Sequence, residues 1–233
     1  MSTVITKGYL INKTDYELFD EVITFINEHG NIFTCLSLGS RKIISKNSQH
    51  LRYGCLLEFE FFQSRSIDKM GKLKKVVTVD RPSIEKDTNT LILFLNNIFF
   101  KCLINSKKGF FKYKEILDLI ECDWQEDIIV IKILFETIFL TGLYMELNHC
   151  VFCKSKKIYS FSTKFMGFIC MKCNDDVLKI DSSVIKIMFF IYKKKYNKVV
   201  NFTKHQKKMT INLLMFFIKE NIGINLYSSL LSI

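Results

Sequence analysis

Four cysteines in two close pairs constrain this chain more than any other feature of its sequence. Cys150 and Cys153 form one Cys-x-x-Cys pair, and Cys170 and Cys173 form the second after sixteen intervening residues. This spacing is typical of a four-thiolate zinc ribbon, because two tight turns together supply the tetrahedral sulfur ligands that zinc prefers. An iron site or a redox-active pair is the alternative. We therefore predict a ribbon at residues 148–178 that binds one structural Zn²⁺.

The predicted metal site is expected to brace a fold and not to catalyse a reaction. A catalytic zinc needs an open coordination position, and four thiolates leave none. His149 adjoins the first pair and is expected to be a neighbour of the site, not a ligand. The zinc-deaminase motif and the glycine-rich phosphate-binding motifs are absent from the sequence. We expect no enzymatic activity and no small-molecule substrate, although a zinc enzyme of unknown type remains an alternative.

The other cysteines and the apolar segments indicate the cellular location of the protein. Cys35, Cys55, Cys102 and Cys122 stand singly among apolar residues, as core cysteines do. The first residues lack the unbroken apolar run of a signal peptide. No apolar stretch reaches the ~18 uninterrupted residues of a spanning helix. The sequence thus predicts a cytoplasmic protein with no membrane partner.

The first 80 residues have the pattern of β-strands. Five runs alternate or are rich in aromatic and β-branched residues, at 3–11, 20–26, 31–38, 56–62 and 73–79. Five short strands in this length fit a small closed barrel of the OB type, and an SH3-like barrel fits almost as well.

After Arg81 and Pro82 the apolar spacing becomes helical. Helices are predicted at 88–104, 113–121, 126–147, 182–194 and 203–222, with Asp181 as an N-cap and Gly223 as a stop. The predicted fold class is therefore α+β with two domains. An OB-fold barrel at 1–80 precedes a helical domain at 81–233, into which the zinc ribbon is inserted.

Basic residues are concentrated in two parts of a chain whose formal net charge is +11. Residues 41–75 hold nine basic and three acidic side chains, and residues 179–233 carry a net charge of +8. Such clusters suit a polyanion such as nucleic acid, although a solvated lysine surface is the plain alternative. The candidate DNA-binding residues are Arg41, Lys42, Lys46, Arg52, Arg65, Lys69, Lys72, Lys74 and Lys75.

Aromatic residues on the fourth predicted strand are candidates for stacking on bases. OB barrels bind single strands with basic grooves and stacked aromatics. Strand alternation places Phe59 and Phe61 on one face and Phe62 on the other, so the three cannot all stack. At least one pair is expected to belong to the core.

Several segments, in order along the chain, resemble the DNA repair protein RecO family. They are KGYLINKTDYELFD at 7–20, NEHGNI at 27–32, LGSRKIISK at 38–46, LTGLYMELNHCVFC at 140–153 and IKENIGINLYSSLL at 218–231. The resemblance lies in the order and spacing of these segments, and it covers essentially the whole chain. The family usually has a proline near residues 145–146 and a glycine at position 154, where this chain has Lys154. Of a paired glycine before the third cysteine, only Gly167 is kept.

The resemblance implies a recombination mediator without enzymatic turnover. Such proteins bind single- and double-stranded DNA, anneal complementary strands and, with RecR, help to load RecA onto strands coated by single-stranded-DNA-binding protein. The expected location is the cytoplasm, in association with the nucleoid. Some members also bind the acidic, apolar C-terminal tail of the single-stranded-DNA-binding protein. That tail or further DNA is the candidate ligand of the basic residues Lys193, Lys194, Lys195, Lys204, Lys207 and Lys208. A zinc-ribbon scaffold that bridges other proteins is the alternative function.

Overall fold

A computed structural model describes residues 3–64, 70–81, 90–174 and 180–226. The chain divides into two compact units, with the boundary in the sequence between Cys122 and Asp123. Within the described ranges, the first unit contains a β-barrel and two α-helices, and the second contains four α-helices and a small two-stranded sheet. The predicted α+β class is confirmed.

The barrel has the strand order of the OB type. Its strands are β1 (Thr3–Tyr16), β2 (Asp20–Asn27), β3 (Ile32–Ser37), β4 (Leu56–Phe62) and β5 (Gly71–Asp80). They close in the order β1-β2-β3-β5-β4. The β3–β5 pair is parallel and the other pairs are antiparallel. All five predicted strands are present.

Inward-facing aromatic rings fill the barrel. The rings of Phe25 and Phe59 stack with centroids 3.9 Å apart, and Phe61 meets Phe25 edge-on. Leu10 and Ile23 belong to the same core, and all five of these side chains are buried. Because alternate residues of a strand face inward, the apolar alternation in the sequence is sufficient to specify this core.

Two helices, α1 (Thr90–Lys101) and α2 (Lys107–Glu121), belong to the same compact unit as the barrel. The ring of Tyr9 on β1 lies 4.8 Å from that of Tyr113 and 5.3 Å from that of Phe110, both on α2. The predicted limit at residues 80/81 thus marks the change from strands to helices, whereas the compact units divide at 122/123. Helix α2 starts six residues before its predicted position because Ser106 caps it, accepting a hydrogen bond from Gly109 N at 3.0 Å.

The second unit contains α3 (Glu126–Leu140), α4 (Ser182–Tyr192), α5 (Tyr196–Val199) and α6 (Lys204–Ile222). Every residue from Ile128 to Ile138 of α3 is buried, so this helix is central to the unit. Asp181 caps α4 and Gly223 ends α6, as predicted.

Helix α3 is shorter than predicted, and its end leads into the cysteine segment. The prediction of a helix to residue 147 is wrong, because Gly142 takes a left-handed conformation with φ +86° after Leu140. Beyond it the backbone pairs with the small sheet, where Glu146 bridges to Gly167. Among the described residues, no helix is both long and apolar enough to cross a membrane.

Candidate metal centre and candidate nucleic-acid surface

The four paired cysteines converge on one point. The Sγ atoms of Cys150, Cys153, Cys170 and Cys173 all lie within 4.8 Å of one another. Zinc–sulfur bonds of about 2.3 Å would place tetrahedral sulfurs about 3.8 Å apart, and the Cys153–Cys170 Sγ distance is 3.5 Å. The four side chains are therefore positioned to bind a metal ion.

A β-hairpin brings the two cysteine pairs together. Strands β6 (Ser160–Ser162) and β7 (Gly167–Ile169) pair between them, and Cys170 follows β7 directly. Val151 N donates to Phe168 O at 2.9 Å, which fastens the first pair to this hairpin. Backbone pairing therefore helps to set the separation of the two turns.

Each pair forms a tight turn. Lys154 N donates to Cys150 O at 3.1 Å, and Cys173 N donates to Cys170 O at 3.2 Å. The first turn needs a left-handed residue at Lys154, whose φ is +60°. A side chain is strained in that conformation, which accounts for the glycine usual at this position in the family that the sequence resembles.

Gly167 is needed for a close approach between segments. A Cβ atom at this position would lie 2.6 Å from Val151 Cγ1 and 2.7 Å from Glu146 O. The Val151 side chain and the backbone of Glu146 would both have to move to make room for it. The glycine therefore allows the segment after α3 to pack against β7.

The environment of the centre favours thiolates in the presence of a cation. Burial raises the pKa of Cys150, but backbone N–H groups of Cys153, Cys170 and Phe152 donate to its sulfur and lower the pKa to about 6. Hydrogen bonds with Cys153 and Cys170 raise the pKa of Cys173 to about 12. Four thiolates at these separations repel one another, so a metal cation is the group that allows all four to ionise together.

His149 is placed as the sequence predicts. Its Nδ1 atom lies 3.4 Å from Glu146 Oε2, and its ring is not part of the four-sulfur cluster. The carboxylate of Glu146 also accepts a hydrogen bond from Asn148 N at 2.9 Å. These residues form a polar border beside the sulfurs.

On the barrel, the structure brings together basic residues that are about thirty positions apart in the sequence. Lys42 and Lys46, in the β3–β4 loop, line the same open groove as Lys74 and Lys75 on β5. The groove has a volume of about 870 Å³. We call it the lysine groove. Its other lining residues include Leu38, Ser45, Asn47, His50 and the acidic Glu60.

Two side chains of the β3–β4 loop fasten it over β5. Asn47 Oδ1 accepts a hydrogen bond from Val76 N at 3.1 Å, and His50 Nδ1 accepts one from Thr78 N at 3.2 Å. These bonds occupy backbone donors of β5 and hold the loop beside that strand. Neither contact can be predicted from the sequence, since a polar residue in a loop gives no sign of which strand it will contact.

A β-bulge places two consecutive lysines on the outside of the barrel. Glu60 pairs with Lys75 and Phe61 pairs with Leu73, so Lys74 is the extra residue in β5. In regular alternation one of two neighbouring residues would point inward. Here Lys74 and Lys75 are both exposed, so β5 contributes two neighbouring lysines to the groove.

The predicted basic residues differ in whether a carboxylate pairs with their charge. Arg41 pairs with Asp15 at 3.1 Å, and Lys74 pairs with Glu60 at 2.6 Å. Arg52 and Lys72 are exposed but lie outside the lining of the groove. In the part of the chain that the structure describes, Lys42, Lys46 and Lys75 have no carboxylate partner. Arg65 and Lys69 lie outside the described residues.

Two of the candidate stacking residues are unavailable to bases. Phe59 and Phe61 are completely buried in the barrel core, as expected for the pair that shares a face, and Phe62 is half-buried. In the second unit, Lys207 is also buried, where it donates to Gln125 Oε1 and lies 3.8 Å from Asp127. Lys207 is therefore not available for the surface role that its position in the basic C-terminal segment suggested.

The second unit has a hollow with apolar walls and a basic border. Its volume is about 520 Å³. The apolar lining is Leu147, Ile158, Phe168, Ile185 and Phe189, and the basic lining is Lys156, Lys186 and Lys193. Lys193 Nζ also donates to Asn148 Oδ1 at 2.6 Å. Hydrophobic spacing in the sequence does not reveal this hollow, because it forms between the ribbon and α4.

Comparison with known proteins agrees with the sequence resemblance. The family profile described as "Recombination protein O C terminal" matches residues 105–230, more than half of the chain. Similar proteins include the DNA repair protein RecO of Mesoplasma florum, 27% identical over 203 residues that cover 81% of this chain and 74% of that protein. The RecO of Mycoplasma mycoides subsp. mycoides is 27% identical over 224 residues, or 91% and 88% of the two chains. The RecO of Bacillus subtilis is 27% identical over 72% of this chain and 67% of that protein. The chain belongs to the RecO family of DNA repair proteins.

Proposed function

We propose that this RecO-family chain binds single- and double-stranded DNA and anneals complementary strands. With RecR, it would help to load RecA onto DNA coated by single-stranded-DNA-binding protein. It would work without enzymatic turnover, in the cytoplasm and in association with the nucleoid. The observation that carries the proposal is the lysine groove, in which Lys42, Lys46 and Lys75 lie together without carboxylate partners in the described part of the chain.

The groove suits a phosphate backbone better than a folded acidic protein. It is open, it lies on the outside of the barrel, and three of its four lysines have no carboxylate partner among the described residues. Lysines that neutralise phosphates release condensed counterions, which supplies sequence-independent affinity. Sequence-independent binding is what annealing requires, because any two complementary strands must be held.

An equilibrium binding measurement tests the proposal. Fluorescence anisotropy of labelled single-stranded and duplex oligonucleotides is compared for the full chain and for a variant with Arg41, Lys42 and Lys46 replaced by alanine. We expect salt-dependent binding of both DNAs by the full chain and a clear loss in the variant. Equal affinity of the two proteins would refute the assignment of DNA binding to these residues.

We also propose that the metal is a structural Zn²⁺ held by Cys150, Cys153, Cys170 and Cys173. Four sulfurs at these separations can fill all four positions of a tetrahedral site, which is the coordination that zinc prefers in structural sites. The ion would balance the charge of the thiolates and would leave no position for a substrate. Metal analysis of the purified protein and X-ray absorption at the zinc edge check this, with four sulfur neighbours as the expected result.

The hollow of the second unit is our candidate site for the tail of the single-stranded-DNA-binding protein. Its walls are apolar and its border carries Lys156, Lys186 and Lys193, so it fits a short acidic peptide that ends in apolar residues. A peptide of that type should bind more weakly to a Lys186→Glu variant than to the unmodified chain.

A protein-bridging scaffold is the second candidate function. It is favoured by exposed apolar side chains on the ribbon, where Phe152 and Phe165 meet with ring centroids 4.9 Å apart and Met171 is also exposed. If the chain binds DNA only weakly and independently of the lysine groove, this second function becomes the better account.

A further inference from the structure

The β3–β4 loop exposes two apolar side chains at its tip. Ile43 is fully exposed and Ile44 is 87% exposed. Burial of an isoleucine side chain is favourable, so two adjacent isoleucines in water are candidates for contact with a ligand. Leu38, Leu18 and Phe19 are exposed in the same unit.

Hydrogen bonds hold this tip in a defined shape. Lys42 N donates to Gly39 O at 3.1 Å, and Ser45 N donates to Lys42 O at 2.9 Å, so two successive turns form. Ile43 and Ile44 are the central residues of the second turn, where glycine, asparagine, aspartate or proline is usual. Arg41 N donates to Phe19 O at 3.0 Å, which ties the loop to the turn between β1 and β2. The isoleucines are therefore presented outward by a fastened loop.

The surroundings of the two isoleucines are basic. Lys42 precedes them directly, and Lys46 follows two residues after Ile44. Both lysines line the lysine groove. A bound strand would thus meet cations in the groove and apolar side chains at its border.

We propose that Ile43 and Ile44 form an apolar wedge that contacts unstacked bases of a single strand whose phosphates lie along Lys42 and Lys46. This inference rests on the proposed DNA binding and adds a base-contacting element to it. Apolar side chains such as isoleucine can insert between base steps, while basic side chains fix the backbone. The wedge takes over the role that the buried Phe59 and Phe61 cannot fill. It would prefer single strands, because their bases are accessible without unpairing.

Other occupants of the patch are less consistent with the groove. A flat anionic membrane would meet the tip of the loop but would leave Lys75 inside the groove without an anionic partner. A second copy of this chain would bring an equally basic surface against Lys42 and Lys46. A polyanion with accessible apolar faces matches both the charge and the apolar tip.

The test separates base contact from phosphate contact. Affinities of the full chain are measured for an oligothymidylate and for an abasic oligonucleotide of the same length, which keeps the phosphates and lacks the bases. An Ile43→Ser/Ile44→Ser variant is compared with a Leu103→Ser control, which removes a 70% exposed side chain elsewhere in the same unit. Anionic vesicles and size-exclusion chromatography probe the other two occupants.

We expect the unmodified chain and the control to bind oligothymidylate at least about fivefold more tightly than the abasic strand, because the bases bury apolar surface of the two isoleucines. In the double serine variant this ratio should fall towards one, while the salt dependence stays the same. Salt-dependent binding with equal affinity for both strands in the unmodified chain would overturn the wedge and leave the proposed function standing. Absence of salt-dependent binding would overturn both. Vesicle binding or self-association that is lost in the variant, without any base preference, would assign the patch to a membrane or to a second copy.

Discussion

Neutralising the lysine groove should change the salt dependence of DNA binding by a predictable amount. The perturbation is the replacement of Lys42, Lys46 and Lys75 by glutamine, which removes three charges that have no carboxylate partner among the described residues. Each phosphate contact on a single strand contributes about 0.7 to the slope of log K against log salt. Loss of three contacts should therefore lower the slope by about 2. Between 50 and 200 mM salt, the affinity of the unmodified chain should fall about 20-fold more than that of the variant.

The control for this experiment has the same net charge. Lys7, Lys108 and Lys114 are exposed in the same compact unit and do not line the groove, so their replacement by glutamine also removes three positive charges. Fluorescence anisotropy titrations at four salt concentrations give the slopes. If the groove variant and the control variant have the same slope, the charge of the whole protein governs binding, and the groove has no special part in it.

Three further predictions concern the second unit. Removal of the metal by a chelator should increase amide hydrogen exchange in residues 123–226 more than in the barrel. The reason is that a metal-binding free energy of about 10–16 kcal/mol is coupled to folding of the ribbon. Unchanged exchange would contradict a structural role of the metal. Lys154→Gly should relieve the strain of the left-handed conformation and raise the stability of the metal-bound protein by about 1 kcal/mol in denaturant titrations. A loss of stability would show that the lysine side chain stabilises the protein by more than its strained backbone destabilises it. Lys132→Met leaves the buried carboxylate of Glu136 without its cation. This change should lower the free energy of unfolding by about 3–5 kcal/mol. The Lys132→Met/Glu136→Leu double variant should recover most of that loss, and a double variant as unstable as the single one would be inconsistent with this explanation.

The features that depend on neighbouring residues could be predicted from the sequence. The spacing of Cys150, Cys153, Cys170 and Cys173 specifies the metal centre because each turn is local. Alternation specifies the strands and places Phe59 and Phe61 on the inward face. The cap at Asp181 and the stop at Gly223 also follow from local chemistry.

The features that depend on distant contacts could not be predicted. The apolar run continues past Leu140, so periodicity alone extends α3, whereas the backbone of Glu146 is taken up by pairing with Gly167. The convergence of the two lysine pairs requires the hydrogen bonds of Asn47 and His50 to β5 and the bulge in that strand. None of these contacts leaves a pattern in a single sequence.

The rate at which two complementary labelled oligonucleotides anneal tests the central claim most directly. It should be measured across a salt series without protein, with the unmodified chain, and with the Arg41/Lys42/Lys46 triple alanine variant. We predict that the unmodified chain accelerates annealing, that the acceleration fades as salt increases, and that the variant loses it. Equal acceleration by both proteins, or none by the unmodified chain, would contradict a role of the lysine groove in annealing.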